Sequence, residues 1–128
     1  MPTVEDILMT KGPDVVVGSP EMTVLEASRL MAAGNVGAIV VEEGRKPLGI
    51  FTERDLLKKV VAKEKPPWET ALRDVMSAPV KTCGLGDDIL AVGDVMEAEH
   101  IRHLAVVEQD ALIGVISFRD VLRAQTGR

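Results

Sequence analysis

The sequence holds one cysteine, one tryptophan, two phenylalanines and no tyrosine. Its single thiol, Cys83, has no partner in the chain, so no internal disulfide can staple the fold, and a buried, small-hydrophobe role is expected for it. With so few rings, the core must be aliphatic. No run approaches the ~18 apolar residues of a membrane span. The N-terminus, MPTVEDILMT, lacks the basic start and apolar stretch of a secretory signal, so a cytoplasmic protein with no membrane partner is expected. Positive charge is also short: 15 Lys and Arg face 20 Asp and Glu, a formal charge of −5 with a pI near 5.0. A protein that neutralises a phosphate backbone carries a basic face, so nucleic acid is not an expected partner.

What is present is ordinary globular material, 46% hydrophobic and 27% charged in 128 residues, enough for one core or for two small repeats. The repeat is visible directly. "GIFTERD", Gly49 to Asp55, returns 65 residues later as "GVISFRD", Gly114 to Asp120. Around it, Asn35 to Asp55 aligns without a gap on His100 to Asp120, sharing Val41/Val106, Glu43/Glu108, Gly49/Gly114, Arg54/Arg119 and Asp55/Asp120. The same offset reaches back through Met31/Met96 and Leu25/Leu90 to Val17/Thr82.

Each copy predicts the same elements. A short β-branched strand, Val15 to Val17 or Val80 to Thr82, precedes an amphipathic helix carrying Val24, Ala27, Leu30 and Met31, or Ile89, Val92, Val95 and Met96. Thr23 with Glu26 makes a capping box, and Gly34-Asn35 ends the first helix. Two strands follow, Val36 to Val41 and Pro47 to Phe51 around a turn at Gly44, or Leu104 to Val107 and Leu112 to Ile116. A last helix is expected near Glu53 to Val61 and Phe118 to Ala124, which makes the unit β-α-β-β-α. "KEKPPWET", with its Pro66-Pro67 pair, reads as a connector, dividing the chain into 1–62, a linker at 63–70 and 71–128. Short helices carrying "VEDILMT" and "LRDVMSAP" precede the copies and are expected to clamp the opposite repeat.

The duplicated unit, the segment "DVMSAPV", the strand "HLAVVE" and the twice-written G-h-h-[S/T]-x-x-D resemble a tandem pair of cystathionine β-synthase (CBS) domains, a Bateman module. The resemblance covers nearly the whole chain. It implies an α/β (α+β) fold of two β-α-β-β-α CBS repeats packed with pseudo-twofold symmetry. It further implies a regulatory module, not an enzyme, that needs no cofactor. Clefts between the repeats would bind an adenosine-containing small molecule: AMP, ADP, ATP or S-adenosylmethionine. Such modules pair into flat homodimers and signal through dimer geometry to a regulated protein, here unknown.

The residue chemistry suits that ligand. An ionised carboxylate accepts from both vicinal ribose hydroxyls, a role that Asp55 and Asp120 fit. Thr52 and Ser117 stand at helix starts, where free N–H groups and a hydroxyl hold phosphate, and Arg54 and Arg119 offer guanidinium forks. A ligand-free reading stands beside it, because a hydroxyl with an acid three residues on is also how a helix caps itself. Copy two carries Arg102 and His103 where copy one has Gly37 and Ala38, and in similar modules basic residues at this strand start reach the phosphates. If the strand is regular there, only one of Arg102 and His103 points into a given cleft. The family's adenine-lining positions fall on Val16, Val17 and Ile39, and on Val80, Thr82 and Leu104, which serve equally well as core. His100 and His103 spell H-x-x-H, but three residues along a strand reverse the face and no second pair completes four ligands, so no metal is expected. Two other readings are a purely structural dimerisation module with empty clefts and a nucleotide-processing enzyme. The chain shows no P-loop or nucleophile-base set for the latter.

Overall fold

The computed structural model describes residues 2–12 and 15–126. They form two compact units, a central one of Val16–Val80 and a terminal one in which Met1–Val15 joins Lys81–Arg128. Each unit therefore takes its leading segment from the sequence that precedes the other repeat. Helix α1 (Val4–Lys11) buries Val4 and Ile7 in the terminal core with Ile89, Val92, Met96, Leu104, Val106, Ile116 and Val121. Helix α4 (Leu72–Val75) buries Leu72 and Val75 in the central core with Val24, Ala27, Met31, Ile39, Val41, Phe51 and Val60. Removing such a side chain from water contributes about 1.5–3 kcal/mol, so neither repeat completes its core without the borrowed turn.

Within the central unit, β1 (Val17–Gly18), β2 (Ala38–Glu43) and β3 (Lys46–Thr52) lie in that order, β1 parallel and β3 antiparallel to β2. Helix α2 (Val24–Gly34) joins β1 to β2. The terminal unit repeats this with β4 (Thr82–Cys83), α5 (Ile89–Glu99), β5 (His103–Glu108) and β6 (Ala111–Ser117). Even the irregularities repeat, since the register slips after Val41 and after Val106. Both hairpins turn on two residues of positive φ, Gly44-Arg45 and Gln109-Asp110, the geometry that matches strand twist in a two-residue loop.

The leading segments also close the helix starts. Val24 N–H donates to Thr70 O, and Ile89 N–H donates to Pro2 O, so main-chain donors left open at an N-terminus find carbonyls from far along the chain. Pro67 O accepts from Leu25 N–H in the same way, which seats the proline connector on α2. The expected capping box is present: Glu26 N–H donates to Thr23 Oγ1 and Thr23 N–H to Glu26 Oε1. Asn35 and His100 end their helices in the left-handed region.

Several expectations shift in extent, among them the helix over "LRDVMSAP", which is helical only at Leu72–Val75 before Met76 turns extended. Strand β2 begins at Ala38 and not Val36, because Val36 N–H closes back on Met31 O to finish the helix. The opening strands move to Val17–Gly18 and Thr82–Cys83, while Val16 and Lys81 contribute carbonyls to Val40 and Ala105 N–H. The helix after Thr52 is α only through α3 (Glu53–Asp55) and then π from Leu56 to Val61, whereas α6 (Phe118–Thr126) is α throughout. No helix among the described residues is long and apolar enough to cross a membrane.

The two glycines of the repeated motif mark where the borrowed segments touch down. A Cβ on Gly49 would stand 2.7 Å from Met76 Sδ and 2.8 Å from the main-chain oxygen of Ser77, and one on Gly114 would stand 3.0 Å from the tip of Leu8. Ser77 is bridged to Ile50 by main-chain hydrogen bonds in both directions and cannot swing aside as Leu8 can. Gly49→Ala is expected to lower stability by about 1–3 kcal/mol in urea unfolding, and Gly114→Ala by less. Equal losses would show that main-chain and side-chain neighbours yield alike.

Candidate functional site

The strand-to-helix junctions carry the repeated motif, and both are closed by reciprocal caps. Asp55 N–H donates to Thr52 Oγ1 at 3.1 Å, and Thr52 N–H returns a bond to Asp55 Oδ2 at 3.0 Å. In the terminal unit Asp120 N–H donates to Ser117 Oγ at 3.1 Å, and Ser117 N–H to Asp120 Oδ2 at 2.8 Å. Four of the sequence-predicted residues thus stand together in pairs, with the capping role realised in the geometry. Arg54 and Arg119, one residue before each aspartate, are exposed.

The aspartates differ in what else they hold. Asp55 is 5% exposed, and its Oδ1 accepts from Ser77 Oγ at 2.9 Å and pairs with Lys59 Nζ at 3.2 Å. Both of its oxygens are committed. Asp120 directs Oδ2 to Ser117 N–H and to Lys11 Nζ at 2.7 Å, while Oδ1 has no hydrogen-bond partner among the described residues. Lys11, Lys59 and Ser77 are the partners of the two aspartates that sequence reasoning missed. Lys59 was legible as the fourth residue after Asp55 on one helix. Ser77 lies inside the quoted "DVMSAPV", but only the folded chain brings it 2.9 Å from a carboxylate.

Strand pairing brings His103 directly opposite Ser117, as it brings Ala38 opposite Thr52. Arg102 falls just outside β5, so strand alternation does not govern it. Its guanidinium lies 5.8 Å from the centre of the Phe118 ring, and its carbonyl accepts from Phe118 N–H. Arg102, His103, Ser117 and Asp120 therefore gather around one helix start. Of the apolar candidates, Val16, Val17 and Val80 are partly exposed and Thr82 is exposed, while Ile39 and Leu104 are buried in their cores. His100 is spent as the α5 cap, and among the described residues no group of three His, Cys, Asp or Glu side chains could hold a metal ion.

The family model of the CBS domain matches this chain twice, at residues 4–62 and 72–127. The chain belongs to the CBS domain family. An uncharacterized protein of Methanopyrus kandleri is 38% identical over 114 residues, 88% of this chain; the chain spans 58% of that relative's length. A CBS-domain containing protein of Agrobacterium tumefaciens superposes with a TM-score of 0.89 at 34% identity, covering 97% of this chain and 99% of that one. A CBS domain protein of Pyrobaculum aerophilum, complexed with AMP, superposes with a TM-score of 0.83 at 23% identity, covering 99% of this chain and all (100%) of that one.

Electrostatics in the terminal CBS unit follow from this packing. Burial acts to raise the Asp120 carboxyl, but the Lys11 ion pair and the Ser117 donors outweigh it and hold the group below its ordinary value. His103 is also lowered, by burial first and by the Lys11 charge next, with Asp120 opposing, so its imidazole is neutral at neutral pH. Burial, with help from Asp87, pushes the Cys83 thiol up to about 12, which leaves it an inert core group. The lowered His103 has a consequence for stability. Above its ordinary value of 6.5 both folded and unfolded chains hold it neutral; as pH falls through that value the unfolded chain takes the proton first, and stability declines until folded His103 is protonated too. His103→Asn is expected to flatten the decline measured by urea unfolding below about pH 6.5. An unaltered slope would assign the decline to other groups.

Proposed function

We propose that this CBS pair is a regulatory module that binds an adenine nucleotide, AMP, ADP or ATP, with Asp120 as its ribose acceptor. The observation that carries this reading is the uncommitted oxygen of Asp120. A carboxylate held ionised beside a cation, with Oδ1 unpartnered among the described residues, offers the first of the two oxygens that a pair of ribose hydroxyls engages. Ser117, Arg119 and Arg102 supply hydroxyl and guanidinium donors for phosphate around the start of α6. His103, neutral before the ligand arrives, becomes easier to protonate beside a phosphate. The exposed Thr82 suits contact with the adenine better than the buried Leu104. In the central unit, Thr52, Arg54 and Val17 occupy the positions of Ser117, Arg119 and Thr82, with Val16 one residue before. There the closed Asp55 supports weaker binding, and the buried Ile39 serves as core. The AMP complex of the Pyrobaculum aerophilum protein supports the choice of ligand class.

Apolar side chains left exposed at equivalent positions, Leu30 with Val95 and Leu57 with Leu122, support pairing with a second copy, the geometry through which ligand binding would reach a regulated protein. Calorimetry with AMP, ADP, ATP and S-adenosylmethionine tests the reading. One of the nucleotides should bind, and Asp120→Asn should weaken it by roughly 10-fold or more, the loss expected for hydrogen bonds to a charged group, while Asp55→Asn changes it little. Silence toward all four ligands, in a protein that sediments as a dimer, would favour a purely structural dimerisation module.

A further inference from the structure

The N-terminal helix is fastened unevenly. Its first turn is fixed by buried Val4 and Ile7, by the bridge from Thr3 to Asp88, and by main-chain bonds from Val4 and Glu5 N–H to Asp87 and Leu85 carbonyls. Leu8 packs over Gly114. Beyond it the hold is polar: Met9 is 78% exposed, and the Thr10 hydroxyl turns back onto its own helix at Asp6 O. Among the described residues the last turn is tied to its unit by one side chain. Lys11 donates to Val115 O at 2.9 Å and to Asp120 Oδ2 at 2.7 Å.

That ammonium therefore sits on the carboxylate assigned above to the ribose. Oδ2 already accepts two donors, Ser117 N–H and Lys11 Nζ, and a carboxylate oxygen has two lone pairs. A vicinal diol that engages the carboxylate with one hydroxyl on each oxygen must displace one of them. The Ser117 N–H belongs to the main-chain cap of α6, whereas Lys11 stands on a flexible stem that is 31% exposed. Lys11 is the donor that yields.

We propose that Lys11 is a built-in competitor for Asp120, so that diol binding at Asp120 and the Lys11–Asp120 ion pair exclude one another and ligand binding loosens the last turn of the N-terminal helix. The inference rests on the ligand reading of Asp120. Linkage makes the competition reciprocal: whatever the Lys11 contact contributes to holding the helix end is subtracted from ligand affinity. The central unit has no such device, because there the leading segment reaches its aspartate with the Ser77 hydroxyl and the cation, Lys59, comes from the same helix as Asp55.

The test compares wild type with Lys11→Met, using adenosine and 2′-deoxyadenosine as ligands. Without the competing ammonium, adenosine should bind about fivefold more tightly, the factor that corresponds to one partly exposed ion pair, whereas 2′-deoxyadenosine, which lacks the vicinal diol, should gain nothing. Hydrogen exchange at the Gly12 amide, which donates to Leu8 O, reads the helix end. Saturating adenosine should speed it by about the same factor in wild type. Ligand-free Lys11→Met should already exchange at the faster rate and respond no further. Weaker adenosine binding by Lys11→Met would make Lys11 a ligand contact, and unchanged binding would make the ion pair merely structural; either overturns the competition. Silence of both proteins toward both nucleosides would instead overturn the ligand reading of Asp120, and the competition with it.

Discussion

One aspartate carboxylate per unit decides how the strand-to-helix junction closes and which distant segment is held there. Its first oxygen completes a cap, accepting the main-chain N–H three residues earlier, and this holds the helix start in place. What remains of the carboxylate is open to a donor from elsewhere. In the central unit that donor is the Ser77 hydroxyl, with Lys59 completing the set; in the terminal unit it is Lys11, which shares the capping oxygen and leaves the other without a partner among the described residues. Two copies of one motif therefore arrive at different bonding: a carboxylate with both oxygens engaged and one with a single oxygen engaged among the described residues.

The exchange of leading segments follows from the same economy of size. A three-stranded sheet with two helices buries too little apolar surface to stand alone comfortably, and each unit recruits the short helix before the other repeat to finish its core. Gly49 and Gly114 sit where those helices land, because a side chain there would occupy the space of Met76 and Ser77 or of Leu8.

Legibility in the sequence was high wherever the information was local. The capping boxes, the left-handed Asn35 and the hairpin turn at Gly44 are each written in two to four adjacent residues, and the structure has them. In the second copy the left-handed helix end and the hairpin turn recur at His100 and Gln109-Asp110, but the Thr23–Glu26 box does not, since Asp88 makes no side-chain cap. Strand limits were less legible, because β2 starts only where Val36 has finished capping α2, and the opening strands are as long as their pairing with β2 and β5 allows. The premise of strand alternation for Arg102 and His103 failed for a similar reason, since β5 begins at His103. The expected asymmetry of the two motifs was argued from the basic neighbours Arg102 and His103. In the structure the two aspartates also differ in their partners, Ser77 and Lys59 for Asp55 and Lys11 for Asp120.

By itself the sequence determined the repeat, the order of elements, the caps and the aliphatic core, because all of these are set by residues close along the chain or by a pattern that recurs at a fixed offset. Tertiary structure alone decided that Lys11 and Ser77, separated from their aspartates by 109 and 22 residues, would complete the two carboxylates differently. No local propensity encodes an ion pair between a leading helix and a junction at the far end of the chain. It exists because the apolar faces of α1 and α4 have a core to enter only in the other half of the molecule, and the charge at the end of α1 is carried there with them.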